Sequence, residues 1–256
     1  MSITVTRDGP VAIVAFDRPR AKNAFTMAMR RDFVDAFAAL DADRSVRAVV
    51  LTGSEGNFCS GADIGEMGDT GPEDFLARMH LLHAMARAVA RFRAPVIAAV
   101  DGVCIGAAWG FALAADIVLA GEEARFAATF RRIGYAPDAG LAWHFLRTIN
   151  PMRAREIVYS GREVRAEEAL ASGLAMEVLP GDALMDRAME LARDIAEGPA
   201  TALHLAKRQF AAAPAMSFET FLDFEATMQP LLGQTGDHRD AVTAFREKRP
   251  PRFNGG

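Results

Sequence analysis

Cysteine is scarce in this chain: only Cys59 and Cys104 occur among its 256 residues. Two cysteines without a histidine close by in the sequence give neither a disulfide framework nor the ligand spacing of a metal site. We therefore expect small buried side chains at both positions, no metal, and a reducing, cytoplasmic location.

Long apolar runs and an excess of one charge are also absent. No apolar stretch reaches the roughly 20 residues that a membrane-spanning helix needs, and the formal net charge is −4. The sequence therefore gives no reason to expect a membrane or a nucleic acid as a partner. Because residues 3–16 already alternate as two strands joined at Asp8-Gly9, we expect no signal or transit peptide.

The apolar periodicity indicates an α/β fold. Apolar runs at residues 48–51 and 96–100 are typical of strands buried on both faces, and Thr26 is placed to cap a helix with a periodic apolar face. Beyond the middle of the chain the pattern is almost wholly helical. Strand–helix alternation followed by helices predicts a core domain over residues 1–198 and a helical subdomain over residues 199–256.

Two predicted strand–loop–helix junctions combine glycine with very small neighbours. They are Ser60-Gly61-Ala62 and Gly106-Ala107-Ala108. Small side chains let a ligand approach the backbone, and unpaired N–H groups at such turns can bind a developing oxyanion. Packing alone also explains small residues at turns, so this pattern by itself leaves both interpretations open.

Asp138 is the third conspicuous feature. It follows Pro137 and precedes Ala139-Gly140, which we expect in the first turn of a helix. A carboxylate at such a place is typically an N-cap that accepts backbone N–H groups. The alternative is a base that faces a pocket, and the residues around it do not decide between the two.

Several segments share a pattern of glycine, small residues and aspartate: Phe58-Cys-Ser-Gly-Ala-Asp-Ile, Asp101-Gly-Val-Cys-Ile-Gly-Ala-Ala-Trp-Gly, Asp116-Ile and Ile133-Gly-Tyr-Ala-Pro-Asp-Ala-Gly. Together with Asp17-Arg-Pro-Arg-Ala-Lys-Asn-Ala and a tail from Asp240 to Phe253, they resemble the crotonase (enoyl-CoA hydratase/isomerase) superfamily. The resemblance extends over residues 3–253 with compatible spacing.

This resemblance implies a spiral of ββα units, a C-terminal helical trimerisation subdomain, a homotrimer or a hexamer made of two trimers, and an acyl-CoA thioester substrate with no separate cofactor. It implies that the oxyanion-hole amides belong to Ser60 and Ala107. It further implies substrate contacts from a larger set, of which the last two would reach the CoA of a neighbouring subunit: Arg20, Ala21, Lys22, Ala62, Asp63, Ile64, Gly106, Trp109, Phe130, Phe245 and Lys248.

The departures from the family pattern favour a particular reaction. Hydratases of this family carry two glutamates, and this sequence has Gly110 and Phe130 at those positions. Neither residue can transfer a proton, which leaves Asp138 at the place where isomerases of the superfamily hold their single carboxylate. The Pro-Asp pair particularly resembles ring-epoxide isomerases of phenylacetate catabolism. We therefore expect an acyl-CoA isomerase with Asp138 as its only base.

Three other functions stay open at this point. The chain could be a hydratase with relocated acid and base, with Glu66 or Asp69 as a minor candidate for an auxiliary acid. It could be a thioester hydrolase or dehalogenase, although Phe130 stands where hydrolase relatives carry glutamate and dehalogenases carry tryptophan. It could also bind acyl-CoA without turnover. His80 and His83 are three residues apart but lack a third ligand for a metal.

Overall fold

The computed structural model describes residues 3–68 and 71–254. In that part of the chain the strands β1 to β9 are Ile3–Asp8, Val11–Phe16, Ala48–Gly53, Val96–Val100, Val103–Ile105, Ile117–Gly121, Arg125–Ala127, Glu163–Arg165 and Glu177–Leu179. The helices α1 to α10 are Met27–Ala42, Pro72–Ala90, Ala107–Ala114, Leu141–Thr148, Pro151–Ser160, Ala166–Ala171, Gly181–Glu197, Ala200–Ala212, Phe218–Gly233 and Gly236–Glu247.

A six-stranded sheet in the order β1-β2-β3-β4-β6-β9 forms the centre of the fold. β1 and β2 form the predicted antiparallel hairpin, and every other neighbouring pair in this sheet is parallel. Parallel strands need crossover connections, whose helices cover both faces of the sheet. This explains why β4 is buried along its whole length and β3 along most of it. A second, smaller sheet has the strand order β5-β7-β8.

The two faces of the large sheet bury different clusters. On one face, α7 packs Leu184 and its alanines against the side chains of Val50 and Ile97. On the other face, helices α1 to α3 enclose a group of phenylalanines, in which the rings of Phe16 and Phe33 stack with centroids 5.3 Å apart. Aromatic side chains bury large apolar areas and pack in defined geometries. The result is a firm base for the loops that follow β3 and β5.

The second half of the chain is less helical than the sequence pattern predicts. β8 pairs with β7, and β9 pairs with β6. β8 and β9 have three residues each, and Val164 is their one fully buried side chain. Their pairing therefore depends on strands that are distant in sequence and not on a local pattern. The helix predicted to begin at residue 139 begins at Leu141, because Ala139 and Gly140 have φ of 50° and 79° and lie outside the helical region.

An ion pair connects α8 to the central sheet. Lys207 Nζ lies 2.7 Å from Asp116 Oδ2, and the same oxygen accepts the N–H of Val96 at 2.8 Å. The Lys207 side chain is 10% exposed, and desolvation lowers its pKa although Asp116 opposes this effect. The division at residues 198 and 199 stays a prediction, but this pair is one point at which the C-terminal helices are attached.

Replacing Lys207 with methionine is expected to destabilise the protein by about 2 kcal/mol, because a partly buried Asp116 carboxylate loses its cation. The measurement is the free energy of unfolding in urea. Arg208, exposed on the same helix, supplies the control variant Arg208→Met. Equal unfolding midpoints for the two variants would show that the ion pair contributes nothing.

Candidate active site

A cavity of about 360 Å³ opens between α1, α2 and the two glycine turns. Its inner wall consists of buried side chains, among them Leu82, Ala107 and Phe130. Its rim consists of more exposed apolar residues, such as Ile64 and Tyr135. A mostly apolar wall with a few polar groups is the usual composition of a small-molecule site.

The two glycine turns lie side by side at this cavity. The backbones of Cys59 and Cys104 pair as an isolated parallel β-bridge, and the N–H of Ile105 donates to the carbonyl oxygen of Cys59 at 3.0 Å. A Cβ on Gly61 would lie 2.8 Å from the carbonyl oxygen of Ile105, and Gly61 also has φ of 95°. Only glycine has neither the Cβ nor the conformational penalty. The two turns therefore line one cavity, as an oxyanion hole built from both of them requires.

The backbone N–H groups of these turns differ in what they can bind. The N–H of Ser60 already donates to the carbonyl oxygen of Lys22 at 2.9 Å, so its predicted role as an oxyanion donor is wrong. Ala62 and Ala107 both line the cavity, and within the described residues no acceptor takes their N–H groups. Ala107 also begins α3, where the helix dipole favours negative charge. The two available donors are therefore Ala62 and Ala107.

Asp138 faces the cavity and caps no helix. Its Oδ1 is buried and has no hydrogen-bond partner among the described residues. The N–H of Leu141 goes to the backbone carbonyl of Asp138 at 2.9 Å, not to the carboxylate. Burial raises the pKa of Asp138 to about 6, although the nearby charge of Arg30 opposes that effect. A desolvated carboxylate with a pKa close to neutral is suited to act as a general base.

Gly110 explains how Asp138 reaches the cavity. A Cβ at Gly110 would lie 2.7 Å from the carbonyl oxygen of Ala139 and 2.8 Å from its Cβ. The segment that carries Asp138 therefore packs directly against the backbone of α3. A side chain at position 110 would therefore displace the segment that positions Asp138.

Arg30 is the charged residue of the site that the sequence did not reveal. It lines the cavity, is 9% exposed, and has a guanidinium 5.1 Å from the ring centroid of Phe25. Desolvation lowers its pKa, while the charges of Asp138 and Glu66 raise it. Arg30 precedes Phe33 by three residues and Phe37 by seven, which places it beside the apolar stripe of α1. This spacing is the sequence feature that could have predicted its burial.

Among the other predicted substrate contacts, Ala62, Ile64, Gly106 and Phe130 line the cavity. Trp109 does not. It is fully buried in the core, where its ring packs against Phe126 and Phe145 with centroids 5.3 and 4.8 Å away. The prediction that Trp109 contacts substrate is wrong, because the side chain turns to the opposite side of α3 from the cavity.

The acidic residues near the loop after β3 have structural partners. Asp63 forms an ion pair with Arg18 and accepts the N–H of Gly65 at 2.8 Å. These partners occupy its side chain, contrary to the prediction that Asp63 contacts substrate. Glu66 does not line the cavity, because its Oε2 accepts the N–H of Met27 at 2.7 Å at the start of α1. Asp69 lies outside the described residues.

The residues predicted to contact CoA do not line the cavity of their own chain. Arg20 and Ala21 form a 3-10 turn that ends at Lys22, and the Ser60 hydroxyl donates to the Ala21 carbonyl at 3.1 Å. This loop therefore lies beside the first glycine turn. Phe245 is exposed on α10, and Lys248 ends that helix. Their contacts with CoA, in this chain or a neighbouring one, stay predictions.

Within residues 3–68 and 71–254, no group of three or more His, Cys, Asp or Glu side chains is arranged to hold a metal ion. None of the helices in the same ranges has the length and apolar character needed to cross a bilayer. His80 is exposed and His83 half-buried, and neither lines the cavity.

Comparison with known proteins defines the class of this fold and site. The sequence model of the family described as Enoyl-CoA hydratase/isomerase matches residues 6–256. A crystal structure of an enoyl-CoA hydratase from Bacillus anthracis superposes with a TM-score of 0.95 and 29% identity, covering 100% of both chains. The crotonase-type α/β fold is thereby confirmed.

The chain belongs to the enoyl-CoA hydratase/isomerase family. A Rhodobacter capsulatus protein named "Probable enoyl-CoA hydratase" is 37% identical over 246 residues, which cover 96% of this chain and 95% of that protein. The 1,2-epoxyphenylacetyl-CoA isomerase of Escherichia coli K12 is 33% identical over 249 residues, with coverage of 96% and 95%. Relatives named for both reactions thus resemble the whole chain.

Proposed function

We propose that the protein is an acyl-CoA isomerase. It moves the double bond of a 3-enoyl thioester to the 2 position, or isomerises a ring-epoxide acyl thioester through the same enolate chemistry. The observation that carries this proposal is that Asp138 is the one carboxylate among the described residues lining the cavity. Gly110 and Phe130 have no group that transfers a proton.

One carboxylate is sufficient for a double-bond shift. The ionised Asp138 removes a proton from C2, and the electron pair of that C–H bond moves into a dienolate whose oxygen carries the negative charge. The N–H groups of Ala62 and Ala107 hold this oxygen, and each such donor is worth about 3 kcal/mol in the transition state. Asp138 then returns the proton to C4, which leaves the double bond between C2 and C3.

Water addition is the second candidate, and the names of the relatives favour it. A hydratase needs one group to activate water and another to deliver the α-proton. With Asp138 as the only cavity carboxylate, one residue would have to perform both tasks. The amides of Ala62 and Ala107 would serve either reaction, so the assay has to separate them.

The experiment is incubation with 3-hexenoyl-CoA and with 2-hexenoyl-CoA in D2O, followed by mass spectrometry. We expect the 3-ene to become the 2-ene. Accumulation of 3-hydroxyhexanoyl-CoA in place of the isomer would replace this proposal with hydratase, and release of free CoA would replace it with hydrolase. Because the acyl group is unidentified, acyl chains of four to eight carbons are assayed, and binding of all of them without turnover of any would indicate a non-catalytic acyl-CoA-binding protein.

The pH profile supplies a prediction for the base. Asp138 is active only when ionised, and burial raises its pKa to about 6. We therefore expect kcat/KM to be level above about pH 7 and to fall about tenfold per unit below pH 6. A profile that stays level down to pH 5 would contradict the assignment of this base.

We also propose that the protein assembles as a homotrimer or as a hexamer of two trimers. Large apolar side chains are exposed on the C-terminal helices, including Phe210 at 80%, Phe218 at 72% and Phe245 at 84%. Exposed apolar groups of this size on neighbouring elements are typical of interfaces. Sedimentation equilibrium tests the proposal, and a monomer or a dimer at micromolar concentration would contradict it.

A further inference from the structure

Arg30 has donors that the fold does not use. Its Nη1 donates to the carbonyl oxygen of Arg78 at 3.2 Å. Its Nε is buried and has no partner among the described residues. Its Nη2 makes no hydrogen bond within the same residues and is in contact with solvent. A buried donor without a partner costs free energy, so its presence beside a cavity points to a ligand.

The geometry of the unused donors defines what they fit. In a guanidinium the Nε–H and one N–H of Nη2 lie parallel along one edge. Two parallel donors on a fixed plane match the two oxygens of a carboxylate, and arginine binds carboxylates in this bidentate manner. The one donor that the protein does satisfy, Nη1, lies off that edge. Arg30 is therefore held at one corner with its carboxylate-binding edge free.

The charge of Arg30 is also incompletely balanced. No carboxylate of the described chain lies within ion-pair distance of it, and Asp138 and Glu66 act only at longer range. The Glu66 carboxylate accepts the N–H of Met27. The charged residues lining the cavity are three arginines, Arg30, Arg78 and Arg132, and one aspartate. An anionic group on the ligand would compensate for this excess of positive charge.

The burial of the lining places Arg30 at the inner end of the cavity. Arg30, Leu82 and Phe130 are between 2% and 9% exposed, whereas Ile64 at the rim is 67% exposed. Arg132 is also exposed, and Arg78 is half-buried. A CoA moiety is too large and polar for the inner end and must extend past the rim. The thioester carbonyl binds at Ala107, which is also on the buried wall, and CoA leaves past the rim, so the acyl chain is the part of the ligand that meets Arg30.

We propose that Arg30 binds a carboxylate on the distal end of the acyl group, so that the substrates are ω-carboxyacyl thioesters. This inference rests on the proposed function, because it assumes an acyl thioester in the cavity. Arg30 acts in it as a specificity residue. The competing role for Arg30, an effect on the charge of Asp138 alone, would be felt equally by substrates with and without a distal carboxylate.

Binding is measured first, with thioesters that have no double bond to move. Titration calorimetry compares butanoyl-, hexanoyl- and octanoyl-CoA with the corresponding ω-carboxyacyl-CoAs of four, six and eight carbons. We expect at least one ω-carboxyacyl-CoA to bind about 10- to 100-fold more tightly than the neutral acyl-CoA of the same length, because it gains a charge-assisted hydrogen-bonded pair. In Arg30→Met the preference should disappear. Arg31→Met, on the exposed side of the same helix, should keep it.

Turnover separates this inference from the proposed function. Wild-type protein is assayed with 3-hexenoyl-CoA and 3-hexenedioyl-CoA, and Arg30→Met should raise KM for the diacid without a comparable change for the neutral substrate. A binding preference without isomerisation of either compound would support the carboxylate site and overturn the double-bond isomerase. Equal affinities of wild-type protein for all three pairs, or equal losses for neutral and anionic ligands in Arg30→Met, would overturn the carboxylate site.

Discussion

Asp138→Asn is expected to abolish isomerisation and to leave the folded protein at least as stable as the wild type at neutral pH. The loss of kcat should be on the order of 10⁴-fold, at the upper end of what a general base contributes, because the same carboxylate takes the proton from C2 and returns it to C4. The amide of asparagine has nearly the shape of the carboxyl group but accepts no proton.

The stability result follows from the pKa of Asp138. Burial raises that pKa from 3.8 in the unfolded chain to about 6 in the folded one, so the folded state disfavours the ionised form. The penalty is absent below about pH 4, grows as the pH rises to 6, and is constant above that value. Asparagine carries no charge and therefore avoids this penalty. At pH 7.5 we expect the variant to be more stable by about 1 to 2 kcal/mol, part of the gain being lost to a buried amide.

Urea unfolding at pH 4.5 and 7.5 measures this difference, alongside the D2O assay. Asp32→Asn, at an exposed position of α1, is the matched control and should change neither activity nor the pH dependence of stability. A variant that loses activity and also loses stability at pH 7.5 would mean that the Asp138 carboxylate has a structural partner, contrary to its unpartnered Oδ1.

The parts of the site that the sequence predicts are those specified by local chemistry. Gly61 and Gly106 have positive φ, which few other residues adopt, so their pattern predicts the turns directly. Asp138 stands out because a proline and two small residues surround it. The strands at 48–51 and 96–100 are evident because a strand covered on both faces must be apolar throughout.

The parts that the sequence does not predict depend on contacts between distant segments. Ser60 and Ala62 are equally small, and only the hydrogen bond from Ser60 to the Lys22 carbonyl shows which amide is occupied. The sequence pattern predicts that Arg30 is a solvated residue on an amphipathic helix, whereas in the fold α2 encloses it. Trp109 follows the second glycine turn in sequence, but the direction of its side chain on α3 sends it into the core. In each case the deciding fact is which side of an element another segment covers.

Gly110→Glu is expected to lower both activity and stability instead of converting the protein to a hydratase. Family resemblance alone would predict the reverse, because hydratases carry a glutamate at this position. Here, however, the Ala139 carbonyl oxygen and Cβ occupy the space within 2.8 Å of where the first side-chain carbon would lie. Backbone atoms cannot move aside cheaply, so the segment 138–140 must shift and take the base with it. Overpacking of this kind costs roughly 3 kcal/mol of stability, and misplacing the base costs on the order of 100-fold in kcat.

Gly110→Ala separates the steric cause from the effect of the added charge. Since the clash is with the Cβ, we expect alanine to reproduce most of the loss of stability and activity seen with glutamate. Combining it with Ala139→Gly removes one of the two close contacts and should recover part of both, because glycine at 139 also accepts the positive φ of 50°. Gly233→Ala, a helical glycine with open space around its Cβ, should cause no loss. If Gly110→Ala is as stable and active as wild type, then the packing of residue 139 on α3 does not hold Asp138 in place, and the absence of the glutamate and the position of the aspartate are independent features.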